Sequence, residues 1–371
     1  MKIDAHYYAV LAFCRACGFN KKSACTIAYA SQFVDDAKIN HVVVEGDIPG
    51  ELQYDTIEGK PSFFNMATCH SYTRIKTFNY SAMINNTAAF HFVPGCNGNH
   101  FVKQLRCTEE SPVITGILQE ALLEEDLVKL GIVLHAYADT FSHQGFSGLL
   151  SKVNDIEQVQ VLNGSGIVVD KFKFILKWLK DAVSEQFDLL IPAYGHGQAM
   201  VYPDLPYLAW QYAYDYTDEF SMVLKSSGII DNRDRFKRAF LGISKHLTLY
   251  LQTHEQYRGK DAHLDSLHVL FDALLLKKMD GGRIRNWQKV LVEQRLLDPE
   301  DHDALEYDPH RWLDDAFSNF DWKTFDQRKV VGATLRPDFA QSNWYRYYRA
   351  VKWYKERLFH HCEKQGLEIC R

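Results

Sequence analysis

The amino-acid sequence predicts a mostly α-helical protein, a multi-helix bundle with small irregular β segments. Residues 5–17 and 23–37 carry apolar side chains at helical spacing, and apolar side chains surround residues 127–141, which is typical of a buried helix. Residues 41–80 contain segments in which apolar and polar side chains alternate, broken by Pro and Gly, which favours short strands and loops. Residues 152–168 are predicted to form a loop or hairpin. Further helices are predicted near 170–187, 206–225, 232–256, 262–277, 284–296 and 338–365.

Local signals place the ends of several helices. Gly18 follows the first predicted helix and ends it, whereas Asp4 precedes it as a candidate N-cap. Ser111-Pro112 supplies a cap and a first turn for a helix over residues 113–143. We expect this helix to be interrupted near 124–126, where three acidic residues adjoin, and to stop at Gln144-Gly145.

Composition restricts the class of protein. The 371 residues are 46% hydrophobic and 24% charged with a net charge of −5, so no global field favours nucleic acid or an anionic membrane. No apolar run has membrane-spanning length and the N-terminus lacks a secretion signal, so we expect a cytoplasmic protein. The eight cysteines show no disulfide framework, and the Cys14–Cys17 pair reads as buried thiols.

The chain is expected to contain a metal-binding helical domain over residues 1–228 and a helical C-terminal region over 229–371, packed together as one unit. The last predicted helix interleaves six Trp and Tyr residues with Arg and Lys. We interpret this pattern as an aromatic face on the core and a basic face in solvent, with a membrane or nucleic-acid contact as the alternative. The sequence makes no prediction of oligomeric state.

The segment from Leu134 to His143 contains the strongest functional signal. His135, Asp139 and His143 are spaced by four residues, so one stripe of a buried helix carries all three. Gly131 lies one step earlier on this stripe and allows a second element to approach closely. Because about 12 Å of helix separates the two histidine backbones, we expect Asp139 to face two metal ions, with one histidine on each. The alternative is hydrogen bonding within the core.

Several residues before this helix are candidate ligands. Asp4 and His6 lie at the start of the first helix, where Asp4 could serve as a cap, a ligand or both. Asp35 and Asp36 are adjacent carboxylates near a helix C-terminus, where the helix dipole opposes their charge. A nearby cation would resolve this conflict, and so would solvent exposure.

Further candidates lie in apolar or glycine-rich surroundings. His70 and His91 each have apolar or aromatic neighbours, and either could be a ligand or a core histidine. Two glycines flank His196, which leaves its imidazole accessible. Asp204 follows in a Tyr-Pro-Asp-Leu-Pro turn, which could equally be a plain surface turn.

The motifs together resemble an uncharacterised bacterial family over roughly residues 1–215. The matching segments are Asp4–Tyr7, Ala30–Asp36, Phe90–Pro94, His135–His143 and Gly195–Pro206. More distantly, the arrangement is similar to the helical zinc-dependent phospholipase C and single-strand nuclease superfamily, which implies a bundle of that type. The resemblance implies three ligand sets: His6 with Asp35 or Asp36; His70 or His91 with His135 and Asp139; and His143 with His196. Secreted members of that superfamily use the amino group of an N-terminal Trp as a ligand, whereas this chain starts with Met1.

These patterns lead to the hypothesis of a metal-dependent hydrolase, a phosphodiesterase or phospholipase C-like enzyme. Zinc, as two or three ions, is the first choice of cofactor, with manganese or iron as alternatives. Asp139 would bridge and orient, and Asp204 or the non-ligating member of Asp35 and Asp36 would assist proton transfer. The substrate would be a small-molecule or lipid phosphoester. The competing hypothesis is a non-enzymatic helical protein that metals stabilise and that binds a partner.

Overall fold

Helices form much of the regular structure in the computed structural model, which describes residues 1–46, 48–69, 79–162, 193–215, 224–260 and 263–370. The α-helices are Val10–Ala16, Lys21–Asp36, Tyr80–Ala82, Ala89–His91, Phe101–Gln104, Pro112–Leu123, Leu127–Ser142, Asn232–Thr253, Leu267–Leu274, Asp280–Glu293, His302–Leu305, Arg311–Ala316, Trp322–Phe325 and Asn343–Lys364. Asp4–Ala9 and Met83–Ala88 are π-helical. Short 3₁₀ turns include Gly197–Ala199 and Tyr202–Asp204.

Two four-stranded sheets accompany the helices in the described part of the chain, and the prediction of a helical bundle of the phospholipase C/nuclease type is wrong. The strands are β1 His41–Val44, β2 Asp55–Ile57, β3 Lys60–Phe64, β4 Glu157–Leu162, β5 Ala209–Tyr214, β6 Lys225–Ser226, β7 Ile230–Asp231 and β8 Lys329–Ala333. The first sheet has the order β2-β3-β1-β8, and β5 pairs with β4, β6 and β7 in the second. Because β1 and β8 are parallel and nearly 300 residues apart, no local pattern indicates their pairing.

Strand β5 occupies half of the described residues in the helix predicted at 206–225. Trp210 and Tyr212 are buried while Ala209, Gln211 and Ala213 are partly exposed, which is the period of two that a strand requires. The prediction of a helix over these residues is therefore wrong. The helix predicted at 170–187 lies outside the described residues.

The predicted N-terminal helical pair is present. Its second member, Lys21–Asp36, packs along Leu127–Ser142, where a Cβ on Gly131 would lie 2.5 Å from the carbonyl oxygen of Ile27. The absent side chain at position 131 therefore permits the close approach that the sequence suggested. This contact places the C-terminal end of Lys21–Asp36 beside the histidine stripe.

Local helix ends follow the predicted signals. Ser111 Oγ accepts a hydrogen bond from the Ile114 amide at 3.4 Å. The chain breaks between the helices Pro112–Leu123 and Leu127–Ser142, and Gly145 has a φ of +88° just beyond the second of them. The helix that carries His135 therefore ends where the sequence predicts.

The final helix Asn343–Lys364 packs an aromatic face on the core. Trp344, Tyr347, Tyr348 and Tyr354 are buried, as the preferred interpretation of this segment expects. Buried side chains from both halves of the chain belong to one hydrophobic cluster. Within the described part of the chain, every helix is too short or too polar to cross a membrane.

Candidate metal centre

The described residues include three groups of His and Asp side chains, with the potential ligand atoms within 4.8 Å of one another in each group. The groups are His6, Asp35 and His135; His91, His135 and Asp139; and His143, His196 and Asp204. His135 belongs to the first two groups, and Asp139 also contacts His6. The histidines at the two ends of the Leu127–Ser142 stripe fall into different groups. Such buried His and Asp groups are compatible with metal binding.

Asp139 lies at the centre of the cluster and is only 1% exposed. Its Oδ1 is 3.1 Å from Nε2 of His6. Its Oδ2 is 3.2 Å from Nδ1 of His91 and 3.3 Å from Nε2 of His135. One carboxylate therefore faces side chains from three separate elements, because the π-helix Asp4–Ala9 and the short helix ending at His91 both direct their histidines towards it.

Backbone carbonyls fix the orientation of three of the imidazoles. His91 donates from Nε2 to the carbonyl oxygen of Thr68 at 3.0 Å. His143 donates from Nδ1 to the carbonyl of residue 91 at 2.7 Å, and His196 donates from Nδ1 to that of Met200 at 2.8 Å. Because the carbonyl accepts from the bonded nitrogen, the other nitrogen of each ring is the one turned towards the cluster. Metal-binding histidines are held in this way.

The electrostatic surroundings keep several imidazoles neutral. Burial lowers the pKa of His6 and His135, and it lowers the pKa of His196 to about 4 despite the nearby Asp204. Neutral imidazole is the form that binds a metal. Although burial opposes ionisation of Asp139, His143 and the amino group of Met1 hold its pKa well below the ordinary value. At neutral pH His6, His135 and His196 are therefore neutral imidazoles and Asp139 is an ionised carboxylate, a combination that suits a transition-metal ion.

The amino group of Met1 lies between two of the carboxylates. Its nitrogen is 2.5 Å from Oδ1 of Asp139, 3.2 Å from Oδ1 of Asp204 and 3.5 Å from Nε2 of His143. Burial opposes its charge, yet Asp139, Asp204 and Asp35 raise its pKa to about 11. This position favours positive charge strongly, which is the electrostatic property that a cation site requires.

Two carboxylates predicted as ligands have other partners. Asp4 is buried and accepts a hydrogen bond from Nε of Arg283 at 2.8 Å. Asp36 accepts hydrogen bonds from Gln32 at 3.0 Å and from the Tyr307 hydroxyl at 2.8 Å. A helix turns about 100° per residue, so Asp36 points away from the face on which Asp35 meets the cluster. Neither Asp4 nor Asp36 belongs to any of the three groups.

Three predicted site residues remain: His70, His196 and Asp204. His70 lies outside the described residues. His196 directly precedes the 3₁₀ turn Gly197–Ala199, and Asp204 ends the turn Tyr202–Asp204. Both meet His143, whose Nε2 is 3.1 Å from Oδ1 of Asp204. Sequence reasoning did not assign Met1 or the orienting carbonyl of Thr68 to this site, since neither an amino terminus nor a backbone carbonyl has a residue-type signal.

A family model matches residues 1–362 and thus almost the whole chain. The chain belongs to DUF6765, a family of unknown function. No curated protein matches this DUF6765 chain, and no solved structure matches it. All members of the three His and Asp groups lie within the residues that the DUF6765 family model matches. The family assigns no activity to them.

Proposed function

We propose that this DUF6765 protein is a metal-dependent hydrolase that cleaves a phosphoester. The observation that carries the proposal is the convergence of three His and Asp groups on Asp139 and its neighbours, with three imidazoles oriented by backbone carbonyls. Zinc is the first choice because imidazole and carboxylate ligands suit it. The sequence motifs resemble those of zinc-dependent phospholipases C and single-strand nucleases, which favours a phosphoester as the substrate. This resemblance concerns the motifs and not the fold.

The members of the three groups are the residues that would hold the ions. His6 and Asp35 would hold one ion, His91 and Asp139 a second, and His143, His196 and Asp204 a third, with His135 between the first two. When bound, zinc would supply Lewis-acid activation of water and of a phosphoryl oxygen. Asp139 would orient the imidazoles around it through the contacts described above.

Exposure indicates where a substrate would approach. The side chain of Asp35 is 29% exposed and that of Asp204 is 12% exposed, whereas Asp139 and His135 are enclosed. The two partly exposed carboxylates would therefore face the substrate. Although burial opposes ionisation, the Met1 amino group, His196 and His143 keep the pKa of Asp204 below its ordinary value. This assigns Asp204 to holding the third group rather than to carrying a proton.

A non-enzymatic protein with structural metals is the second candidate. The five cluster histidines are only 0–3% exposed, and structural zinc sites are closed whereas catalytic ones keep an open position. In that case the ions would join the N-terminal helices to the Leu127–Ser142 helix, and removing them would affect stability alone.

An activity screen separates the two candidates. Metal-loaded protein would be incubated with bis(4-nitrophenyl) phosphate, a phosphatidylcholine vesicle and a single-stranded oligonucleotide. We expect zinc-dependent hydrolysis of at least one of these, reduced at least tenfold in His196→Ala. The matched control is His268→Ala, because this histidine is exposed and lies outside the cluster. Stoichiometric metal that raises stability without any hydrolysis would support the structural role instead.

A further inference from the structure

A cavity of about 520 Å³ lies against the final helix, apart from the metal centre. Lys352 and Lys355 of Asn343–Lys364 line one side of it, and Asn85 and Asn86 of the π-helix Met83–Ala88 line another. The volume is in the range of small-molecule sites, and π-helical segments frequently occur at functional sites. Its lining contains no member of the three His and Asp groups among the described residues.

Lys355 is a buried amino group that has no anionic partner among the described residues. The residue is 5% exposed, and its Nζ donates to the carbonyl oxygen of Asn65 at 2.8 Å and to Oδ1 of the same residue at 3.1 Å. Among the described residues no carboxylate forms an ion pair with it. Burial, with the positive charges of Arg328 and Lys352, lowers its pKa to about 7. A buried charge of this kind is costly unless it is paired.

The neighbouring charges do not compensate Lys355. Lys352 pairs with Asp55 through Nζ–Oδ contacts of 2.9 and 3.0 Å, so that carboxylate is already engaged. Glu356 also lines the cavity but is exposed to solvent. Arg328 adds a further positive charge to the lining. The interior of the cavity is therefore an environment that attracts an anion.

Two asparagines, Asn40 and Asn65, also line this cavity. Oδ1 of Asn40 accepts from the Ala67 amide at 3.2 Å, and Oδ1 of Asn65 accepts from Lys355. Because the amide oxygens are used inside the protein, the Nδ2 groups remain to donate. A lining of ammonium and amide donors matches oxygen acceptors that carry negative charge.

We infer that this cavity is a second binding site, which holds a small molecule by a phosphate or carboxylate group through Lys355, Asn40 and Asn65. The bound oxyanion accepts hydrogen bonds from the two amides and serves as the counter-ion of Lys355. The inference is independent of the metal centre and of the proposed hydrolase activity.

Calorimetric titration of the full chain with inorganic phosphate and, separately, with acetate tests the inference. We expect saturable binding of at least one probe, and the stronger of the two identifies the anion class. Asn65→Asp keeps an acceptor for Lys355, supplies it with a carboxylate and removes the amide donor. We expect this variant to fold and to bind the probe at least tenfold more weakly, as does Lys355→Met. Lys364→Met, on the exposed part of the same helix, should bind like wild type.

A variant of the metal centre shows at which of the two sites the anion binds. Asp139→Asn should retain the binding of the probe, because this residue is not part of the cavity. The inference is overturned if wild type binds neither probe, if folded Asn65→Asp binds with unchanged affinity, or if Asp139→Asn abolishes binding while Asn65→Asp does not. The last result would place the anion at the metal centre.

Discussion

Replacing Gly131 by Ala should destabilise the protein, because two helices leave no room for a methyl group. A Cβ at position 131 would lie 2.5 Å from the carbonyl oxygen of Ile27, 2.6 Å from Cβ of Ala30 and 3.2 Å from the amide of Ser31. All three atoms belong to the backbone or to a Cβ of the helix Lys21–Asp36. No rotamer change relieves the contact, so the helices themselves must separate.

The size of the effect follows from two opposing contributions. Overpacking a close contact costs about 1–3 kcal/mol, and the better helix propensity of Ala returns up to about 1 kcal/mol. Because the atoms in contact are backbone or Cβ atoms that cannot rotate aside, the cost lies in the upper half of that range, and we expect a net loss of about 1–2 kcal/mol in the free energy of unfolding. Because Asp35 lies at the end of the displaced helix, its distance from His135 should also change and metal affinity should fall.

Urea unfolding of Gly131→Ala, with and without added metal, measures both effects. Gly281→Ala is the matched control, because it lies in the helix Asp280–Glu293 and the atom nearest to its Cβ is Nη1 of Arg285 at 3.7 Å. The free energy of unfolding of Gly281→Ala should equal that of wild type or exceed it by up to about 1 kcal/mol. A Gly131→Ala protein as stable as wild type would refute the close packing of the two helices.

Three further predictions concern buried charges and ligands. Arg283→Met should cost about 3–5 kcal/mol in urea unfolding, because Asp4 would be left buried without its partner; an unchanged midpoint would contradict this pairing. His196→Ala should lose metal from one group only, whereas His135→Ala should affect two; equal losses by elemental analysis would contradict the grouping. Lys355→Met should stabilise the protein by several kcal/mol near pH 7, since the folded pKa of about 7 lies below the ordinary 10.5 and each pH unit corresponds to about 1.4 kcal/mol. Between pH 7 and 10.5 the wild-type protein releases the Lys355 proton when it folds, so the difference in unfolding free energy between variant and wild type should shrink as pH rises through that window. A difference that does not change with pH would contradict the lowered pKa of Lys355.

The sequence could predict those parts of the fold and site that depend on local physics. The spacing of His135, Asp139 and His143 predicts that they share a helix stripe. The structure places His135 and Asp139 within Leu127–Ser142 and His143 at its C-cap. The Ser111 cap and the helix end before Gly145 also follow from residue type and backbone conformation. These features need no knowledge of distant contacts.

Features that depend on distant contacts were not predictable in the same way. The pairing of β1 with β8 joins segments nearly 300 residues apart, and Arg283 reaches Asp4 across 279 residues. Both were missed because neither partner has a local signal. The choice between Asp35 and Asp36 depended on which direction the helix end faces, and Tyr307 holds the second carboxylate away from the cluster.

Metal content of the purified protein tests the central claim most directly. Protein prepared without added metal would be analysed by plasma mass spectrometry beside Asp139→Asn, which keeps the size of the side chain. The account predicts two or more equivalents of a transition metal in wild type and a clear loss in the variant. Wild-type protein that stays metal-free after incubation with zinc, manganese or iron, with unchanged stability, would contradict the account and leave the cluster as core hydrogen bonding.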